Sequence, residues 1–599
     1  MSLRSCFCLL LVSCIALSLH AQTSGQDSGN AAPTIKTEVR RVLVDVVVTD
    51  ERGEAVTGLK EKDFEVLEDG KPQTIATFEE HHGAVPTELK LPAMPPNVYT
   101  NFPTTQAADS VNVLLLDALN TPSSDQVYVR SEMIKYLKGL PPGTRIAIFT
   151  LASRLRMLQG VTTDSTELLA AVNHGRTTPR PSALLPSDVE KDADQRMIEV
   201  MQQNQMAPPS PNQTLAEAAV DPINAAKQFL SDTAIHLADS RIAITLEALQ
   251  QLARYLAGIP GRKNVIWFSG SFPAGIVPNP DLPDPFTGLK DSEQEFRKTT
   301  DLLTAAQAAI YPIAAEGLAT DAAFQATGAE VGQKRGSTAM SDSVKQLSSD
   351  SMTRDSNHAT MEDLAQDTGG KAFYNTNGLN DVLARVVRNG ARYYSISYAP
   401  GNAVMDGKFR RIQVRLVQRK GTLAYRRGYY ADDLSSTLAA GQRPDTDPLL
   451  VLMGRNLPNY TQIVYKVRVQ PATPQPAPDA PRAGTNADLK GPIVRYSAEF
   501  AITAQDLTFV QTPDGIRHGN VEVVMVAYDR DGKPLNFVVT RGDLIVRPDV
   551  YPNLQKVGLQ IRKEIDVPKE YVYLRTGIYD LKAGTAGTLG MPLDASSSR

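Results

Sequence analysis

The sequence predicts a doubly wound, Rossmann-like α/β unit flanked by N-terminal and C-terminal all-β, sandwich-like domains. Three observations carry this. Val111–Leu116 is apolar at every position but Asn112 and is closed by Asp117, the pattern of a strand buried on both faces of a parallel sheet. Strand-like and helix-like periods then alternate from residue 110 to 398. On either side the pattern changes to β-branched strands separated by Asp-Gly and Asp-x-x-Gly turns, as at Asp69-Gly70 and Asp531-Gly532.

The elements follow in order. Residues 1–21 hold Arg4, an apolar run from Cys6 to Leu19 and Ala21, which reads as a secretory signal peptide. Residues 22–37 are a polar, flexible tail. The N-terminal β unit is expected at 38–82, a Pro/Thr/Ala-rich linker at 83–109 and the α/β domain at 110–398. Within the last, Ser124–Leu140 and Ile244–Leu256 have helical spacing, and Asn264–Phe268 and Ile310–Ala314 are strand-like. Three polar stretches near 175–238, 271–292 and 319–357 read as insertions. A β extension at 399–431, a mostly linker stretch at 432–490 (Pro/Ala-rich at 470–481) and a β-sandwich-like domain at 491–599 complete the chain. A similar strand-plus-turn pattern recurs at Val44–Val56 and Val523–Leu535.

Composition narrows the function. The 599 residues are 42% hydrophobic and 21% charged, with net charge −4 and dispersed basic residues, which argues against nucleic acid as a partner. All three cysteines, Cys6, Cys8 and Cys14, fall inside the signal segment, so the mature chain has neither disulfides nor thiolate chemistry. The expected location is periplasmic or extracellular, with no transmembrane segment after signal removal. Leu11-Val12-Ser13-Cys14 also has the form of a lipobox, but the apolar run continues past Cys14, which disfavours lipid anchoring there.

Val113–Pro122 resembles the first strand and metal loop of a von Willebrand factor A domain. Thr245–Leu249 with Arg262–Gly270, and Leu364–Tyr374, resemble later parts of that family, and Val48–Gly70 resembles the strand unit of its exported acidobacterial members. The resemblance implies an α/β fold with ligands at the strand ends. It also implies a Mg²⁺ site built from Asp-x-Ser-x-Ser, a second-loop threonine and an aspartate after the fourth strand. Here Asp117, Thr121 and Thr245 match, Leu119 replaces the middle serine, and Ser269-Gly270 stands in place of the aspartate. The metal set is therefore a degenerate one: no cofactor is expected, and Mg²⁺ at these residues is the alternative. The alternative role for Asp117 and Thr121 is to cap the following helix.

Other constellations read as structural. Glu79-Glu80-His81-His82 is expected to be a solvated patch, and no His-Glu-x-x-His spacing supports a zinc hydrolase. Gly369-Gly370-Lys371 reads as a helix-to-strand turn, and Tyr393, Tyr394, Tyr398, Tyr425, Tyr429 and Tyr430 as cross-strand pairs. The function expected is non-enzymatic: cell-surface or protein–protein interaction through the strand-end face, with a protein or envelope polymer as partner. The alternatives are a metal-ion-dependent adhesin and a hydrolase with a loop-borne site.

Overall fold

The structure, a computed structural model, describes residues 41–83, 94–102, 110–173, 182–205, 222–271, 293–316, 354–431 and 448–595, apart from positions 377, 403, 405, 418, 456, 478, 479, 487, 488, 490 and 531. The expected signal peptide and tail lie outside these residues, as do most of 271–292 and 319–357.

In chain order the elements are β1 (Val42–Thr49), β2 (Phe64–Glu68), β3 (Lys71–Gln73), β4 (Ile75–His81), β5 (Val98–Thr100), β6 (Ser110–Asp117), α1 (Ser123–Lys138), β7 (Ile146–Leu151), β8 (Leu155–Thr162), α2 (Ser165–Asn173), α3 (Asp188–Gln205), α4 (Pro222–Ala257), β9 (Arg262–Ser269), α5 (Glu293–Ala305) and β10 (Ala308–Ala314). There follow α6 (354–368), α7 (Leu379–Gly390), β11 (Tyr393–Tyr398), β12 (Phe409–Leu416), β13 (Thr422–Ala424), β14 (Gly428–Tyr430), β15 (Tyr465–Pro471), β16 (Ile493–Ile502), β17 (Val510–Gln511), β18 (Arg517–Tyr528), β19 (Pro534–Val546), β20 (Leu559–Pro568), β21 (Tyr571–Asp580) and β22 (Thr585–Asp594).

The α/β layer is a five-stranded sheet of order β10-β9-β6-β7-β8. Its first four strands are parallel and β8 is antiparallel to β7. Alternate residues of the strands feed two cores. Val113, Leu115, Val265 and Trp267 meet Leu249, Leu252, Leu256 and Leu303 of α4 and α5, whereas Leu114, Ile148, Ile266 and Tyr311 meet Met133, Leu137, Leu168, Leu383 and Val387 of α1, α2 and α7. Helices thus cover both faces, which is why the strands read as continuous apolar runs. Chain order reverses between β6 and β9, so the topological switch point lies beside the end of β6, where Asp117 sits.

One expectation about the sheet needs correcting. Tyr393–Tyr398, read as the last strand of the 110–398 domain, is β11, and it pairs with β1 and β4. Its Ser395 and Ser397 alternate with Tyr394, Ile396 and Tyr398, the pattern of an antiparallel strand with one buried face. The N-terminal β unit and the extension at 399–431 therefore form one sandwich from two distant parts of the chain. Its sheets, β13-β1-β11-β4 and β14-β12-β2-β3, enclose Val44, Val46, Phe64, Val66, Ile396, Tyr398, Ile412 and Val414. The α/β layer is inserted between β4 and β11.

The linkers are also more structured than their composition suggests. β5, within 83–109, pairs with β15, within 432–490. Asn101, fully enclosed, fixes that junction: its amide donates to the carbonyls of Tyr460 and Ile463, both at 2.8 Å, and its oxygen accepts from Tyr465 N at 2.9 Å. Sheets β20-β16-β15-β5 and β17-β18-β21-β22, with β19 also on β18, make the C-terminal sandwich. Leu449, Tyr460, Val524, Val526 and Tyr579 belong to the same apolar core as Tyr255 and Leu256 of α4. The C-terminal sandwich is fused to the α/β layer by shared core.

Lys263 marks a cost built into this arrangement. Its ammonium is buried at the start of β9 and donates to Ala306 O at 2.8 Å. Burial lowers its pKa to about 8, against a smaller opposing pull from Asp45. In the unfolded chain the group titrates near 10.5, so the penalty is complete below pH 8 and fades as pH rises through the interval between the two values. Lys263→Met is expected to raise stability at pH 7 by about 1–3 kcal/mol, with the gain shrinking towards pH 10. Denaturation of both proteins at pH 7 and 10 checks this. A variant less stable at both pH values would contradict it.

Candidate functional site

Asp117, Thr121 and Thr245 are brought together at the end of β6, as the resemblance implies, and all three are buried. Their surroundings differ from expectation. Thr245 lies inside α4 rather than on a loop, because the helix begins at Pro222 and not at Ile244. Helix α1 starts at Ser123 with Pro122 as N-cap and no side-chain cap, so neither Asp117 nor Thr121 caps it. Thr121 Oγ1 instead accepts from Gly270 N at 2.9 Å, tying the loop after β9 onto the loop after β6. A side chain at Gly270 would collide with Pro122 and Asn120, so these loops are in direct contact.

Asp117 accepts five hydrogen bonds. Oδ1 takes Leu119 N and Asn120 N, both at 3.0 Å. Oδ2 takes Asn120 Nδ2 at 2.9 Å, Trp267 Nε1 at 3.1 Å and Ser269 Oγ at 2.8 Å. The single Ser269 proton is shared with the Ser271 carbonyl at 2.7 Å. Asn120 Nδ2 also donates to Thr245 Oγ1 at 2.9 Å, so one carboxamide links the first-loop carboxylate to the α4 threonine. Burial raises the Asp117 carboxyl above the ordinary aspartate range, and hydrogen bonds from Asn120, Ser269 and Trp267 pull it back down. One helical turn before Thr245, on the same face of α4, stands Arg241. Burial lowers its guanidinium, and the charge of Asp117 opposes that shift.

These residues do not fit Mg²⁺. The ion requires oxygen lone pairs converging octahedrally at short range. An ionised carboxylate offers about four acceptor directions, and more donors than that already point at Asp117. The group between Asp117 and Thr245 is an N–H₂ donor, Ser269 donates as well, and Leu119 contributes no oxygen from its side chain.

Asn120, Trp267 and Ser269 leave only weak marks in the residue pattern. Asn120 falls between motif positions, Trp267 reads as core, and Ser269 was visible only as a missing aspartate. The largest feature missed is the hairpin of α3 with the first half of α4. Stretch 175–238 reads as a polar insertion, yet 188–205 and 222–238 are helical. Those turns bury little against the body, so no core-facing period marks them. Because α4 runs antiparallel to β9 and Thr245 is level with the end of β6, the turns before Thr245 rise beyond the strand ends. From Pro222 to Thr245 this is about 35 Å at 1.5 Å per residue. Val189 (78% exposed), Met197 (44%) and Val200 (55%) share one stripe of α3 with Ala193, and Phe229 (70%) is exposed on α4.

Other candidates are dispersed. His81 faces Glu79 at 3.9 Å and His82 faces Glu80 at 3.8 Å, two separate pairs at alternate positions of the strand end. His358 stacks on Tyr374 at 4.2 Å between ring centres. Among the described residues no three His, Asp or Glu side chains gather as metal ligands, and no helix is long and apolar enough to cross a membrane. Gly369-Gly370 follows α6 and leads not to a strand but to a single bridge, Phe373 with Ile313, passing so close to β10 that a Cβ at Gly370 would meet the Ile310 carbonyl.

No family model matches the chain, and no curated protein matches it. Among solved structures it is similar to an aerotolerance-related membrane protein from Bacteroides fragilis (9% identity, 46% of this chain and 98% of that chain, TM-score 0.21). It is also similar to the pilus adhesin SpaC from Lactobacillus rhamnosus GG (9%, 81% and 54%, TM-score 0.22). A von Willebrand factor type A protein from Catenulispora acidiphila aligns at 12% identity over 61% of this chain and 80% of that one, TM-score 0.15. At such scores the alignments carry no argument, and the layered α/β architecture rests on the strand order and the two cores.

Proposed function

We propose that this chain is an exported, non-enzymatic binding protein that holds a protein or envelope polymer at the strand-end face of its α/β layer. The observation that carries the reading is the α3–α4 hairpin, which rises from that face and exposes Val189, Met197, Val200 and Phe229 to solvent. Loops and insertions beyond the strand ends are where an α/β sheet binds its ligands. The polar groups beneath the rim are occupied with one another: Asp117, Asn120, Thr245, Trp267 and Ser269 form a closed network. That arrangement suits a rigid platform better than a reacting centre. The C-terminal sandwich, joined to the layer by shared core, and the N-terminal one, tied to it by contacts such as Asn389 Nδ2 to Gly53 O, set the height and direction of the platform.

A photo-crosslinking amino acid placed singly at Met197, Val200 or Phe229 is expected to trap one partner in the source envelope. The same group at Val557, exposed on the far sandwich, is expected to trap none. Equal trapping from both places, or trapping from Val557 alone, would overturn the proposal.

A further inference from the structure

We infer that two side chains of this protein take the place of a divalent cation beneath the rim: the Asn120 carboxamide supplies the bridge and the Arg241 guanidinium supplies the positive charge. The inference concerns the face assigned to partner binding but does not depend on it, since its tests read metal and stability.

A cation in such a loop does two things: it links oxygen atoms of separate segments and it neutralises a buried carboxylate. The first is met here by Asn120. Fully enclosed between β6 and α4, it donates to Asp117 Oδ2 and to Thr245 Oγ1, both at 2.9 Å. Its orientation is set by these acceptors, since a flipped amide would turn its oxygen towards the carboxylate. The carboxamide oxygen, buried, has no hydrogen-bond partner among the described residues. The side chain is thus held by its donor end, which is what bridging two oxygens requires.

The second is met by Arg241. Asp117 is the one carboxylate in the network, and a single guanidinium balances it. Arg241 lies at i−4 from Thr245, so it stands over the same site. Its Nε and Nη1 are buried and find no hydrogen-bond partner among the described residues. No hydrogen bond joins it to Asp117 among the described residues, and the charge of Asp117 opposes the burial-driven lowering of its guanidinium, so the two are coupled through space. Leu119 in place of the motif serine and Ser269 in place of the aspartate remove ligands that only an ion would need. Both departures from the Mg²⁺-binding pattern, Leu119 and Ser269, point the same way as the two side chains outside it.

Asn120→Asp is the decisive variant, because it is isosteric and turns the bridging donor into an acceptor. In EDTA it should melt well below the wild type, with two carboxylates opposed. Mn²⁺ should recover about 2–4 °C or more of that loss. The wild type should melt at the same temperature in EDTA and in Mn²⁺. Calorimetric titration of the wild type with Mn²⁺ keeps the inference falsifiable should Asn120→Asp fail to fold: the expected result is no heat, and a heat abolished by Asp117→Asn would overturn the bridge. For the charge, Arg241→Met should lower the melting temperature, and adding Asp117→Asn should lower it by less than the sum of the single changes. Strict additivity would remove Arg241 from the account.

Discussion

Arg575→Ala is expected to destabilise the protein by about 4 kcal/mol, seen as a lowered melting temperature. The guanidinium is fully enclosed under the C-terminal sandwich. It donates to the carbonyls of Leu457 at 2.7 Å, Pro458 at 2.9 Å and Leu452 at 3.3 Å, and to Thr588 Oγ1 at 3.0 Å. Burying this charge is costly and lowers its pKa, so its removal returns part of the loss. The loss still dominates: the Leu452 and Leu457 carbonyls are left without their donor, each worth about 1–3 kcal/mol, Pro458 O keeps only Thr588 Oγ1 at 3.4 Å, and a large cavity opens. Segment 448–460 is what those carbonyls hold down, and it carries Leu449 and Tyr460 into the core shared with α4. Arg575→Lys should fall between, since one ammonium cannot reach every acceptor that the planar fork does. A variant with wild-type melting would refute the idea that this side chain locks the sandwich to the α/β layer.

Glu68→Ala is expected to cost about 3–5 kcal/mol through the N-terminal sandwich. Glu68 lies between the two sheets and accepts from Tyr398 at 2.8 Å and Tyr429 at 3.0 Å. Its loss strands the enclosed Tyr398 phenol and removes the carboxylate from Tyr429. Because the sandwich is assembled from both ends of the inserted layer, hydrogen exchange should rise together in 42–81 and 393–430. Glu68→Gln, which keeps an acceptor, should show a smaller rise. Exchange confined to 42–81 would show that the two segments do not fold as one unit.

Much of the α/β layer was legible because buried parallel strands leave an unmistakable mark: Val113–Leu116 and Val265–Phe268 are apolar on both faces. The turn chemistry was legible too. In the repeated Asp-x-x-Gly pattern, Asp50 Oδ1 takes Glu54 N at 2.9 Å and Asp529 Oδ1 takes Lys533 N at 2.8 Å. Gly53 and Gly532 both adopt positive φ. Local hydrogen bonding of this kind explains the echo as one hairpin solution used twice. Strand partnership was not legible. Nothing local tells β11 that it pairs with β1 rather than with β10, since pairing across more than three hundred residues is settled by which apolar face finds a complement. The α3–α4 hairpin was hidden for the opposite reason, having little buried face to create a period. In the site, motif matching brought Asp117, Thr121 and Thr245 to one place. It could not see that Asn120, outside the motif, fills the space between two of them.

The central claim is that the rim holds its partner on a platform kept in shape without a divalent ion. The most direct measurement is retention of the crosslinked partner by the full chain in EDTA and in Mg²⁺, beside a variant carrying Met197→Glu, Val200→Glu and Phe229→Glu. The account predicts equal retention in both buffers and loss in the triple variant at unchanged melting temperature. Retention that disappears in EDTA and returns with Mg²⁺, or that survives the three charges, would contradict it.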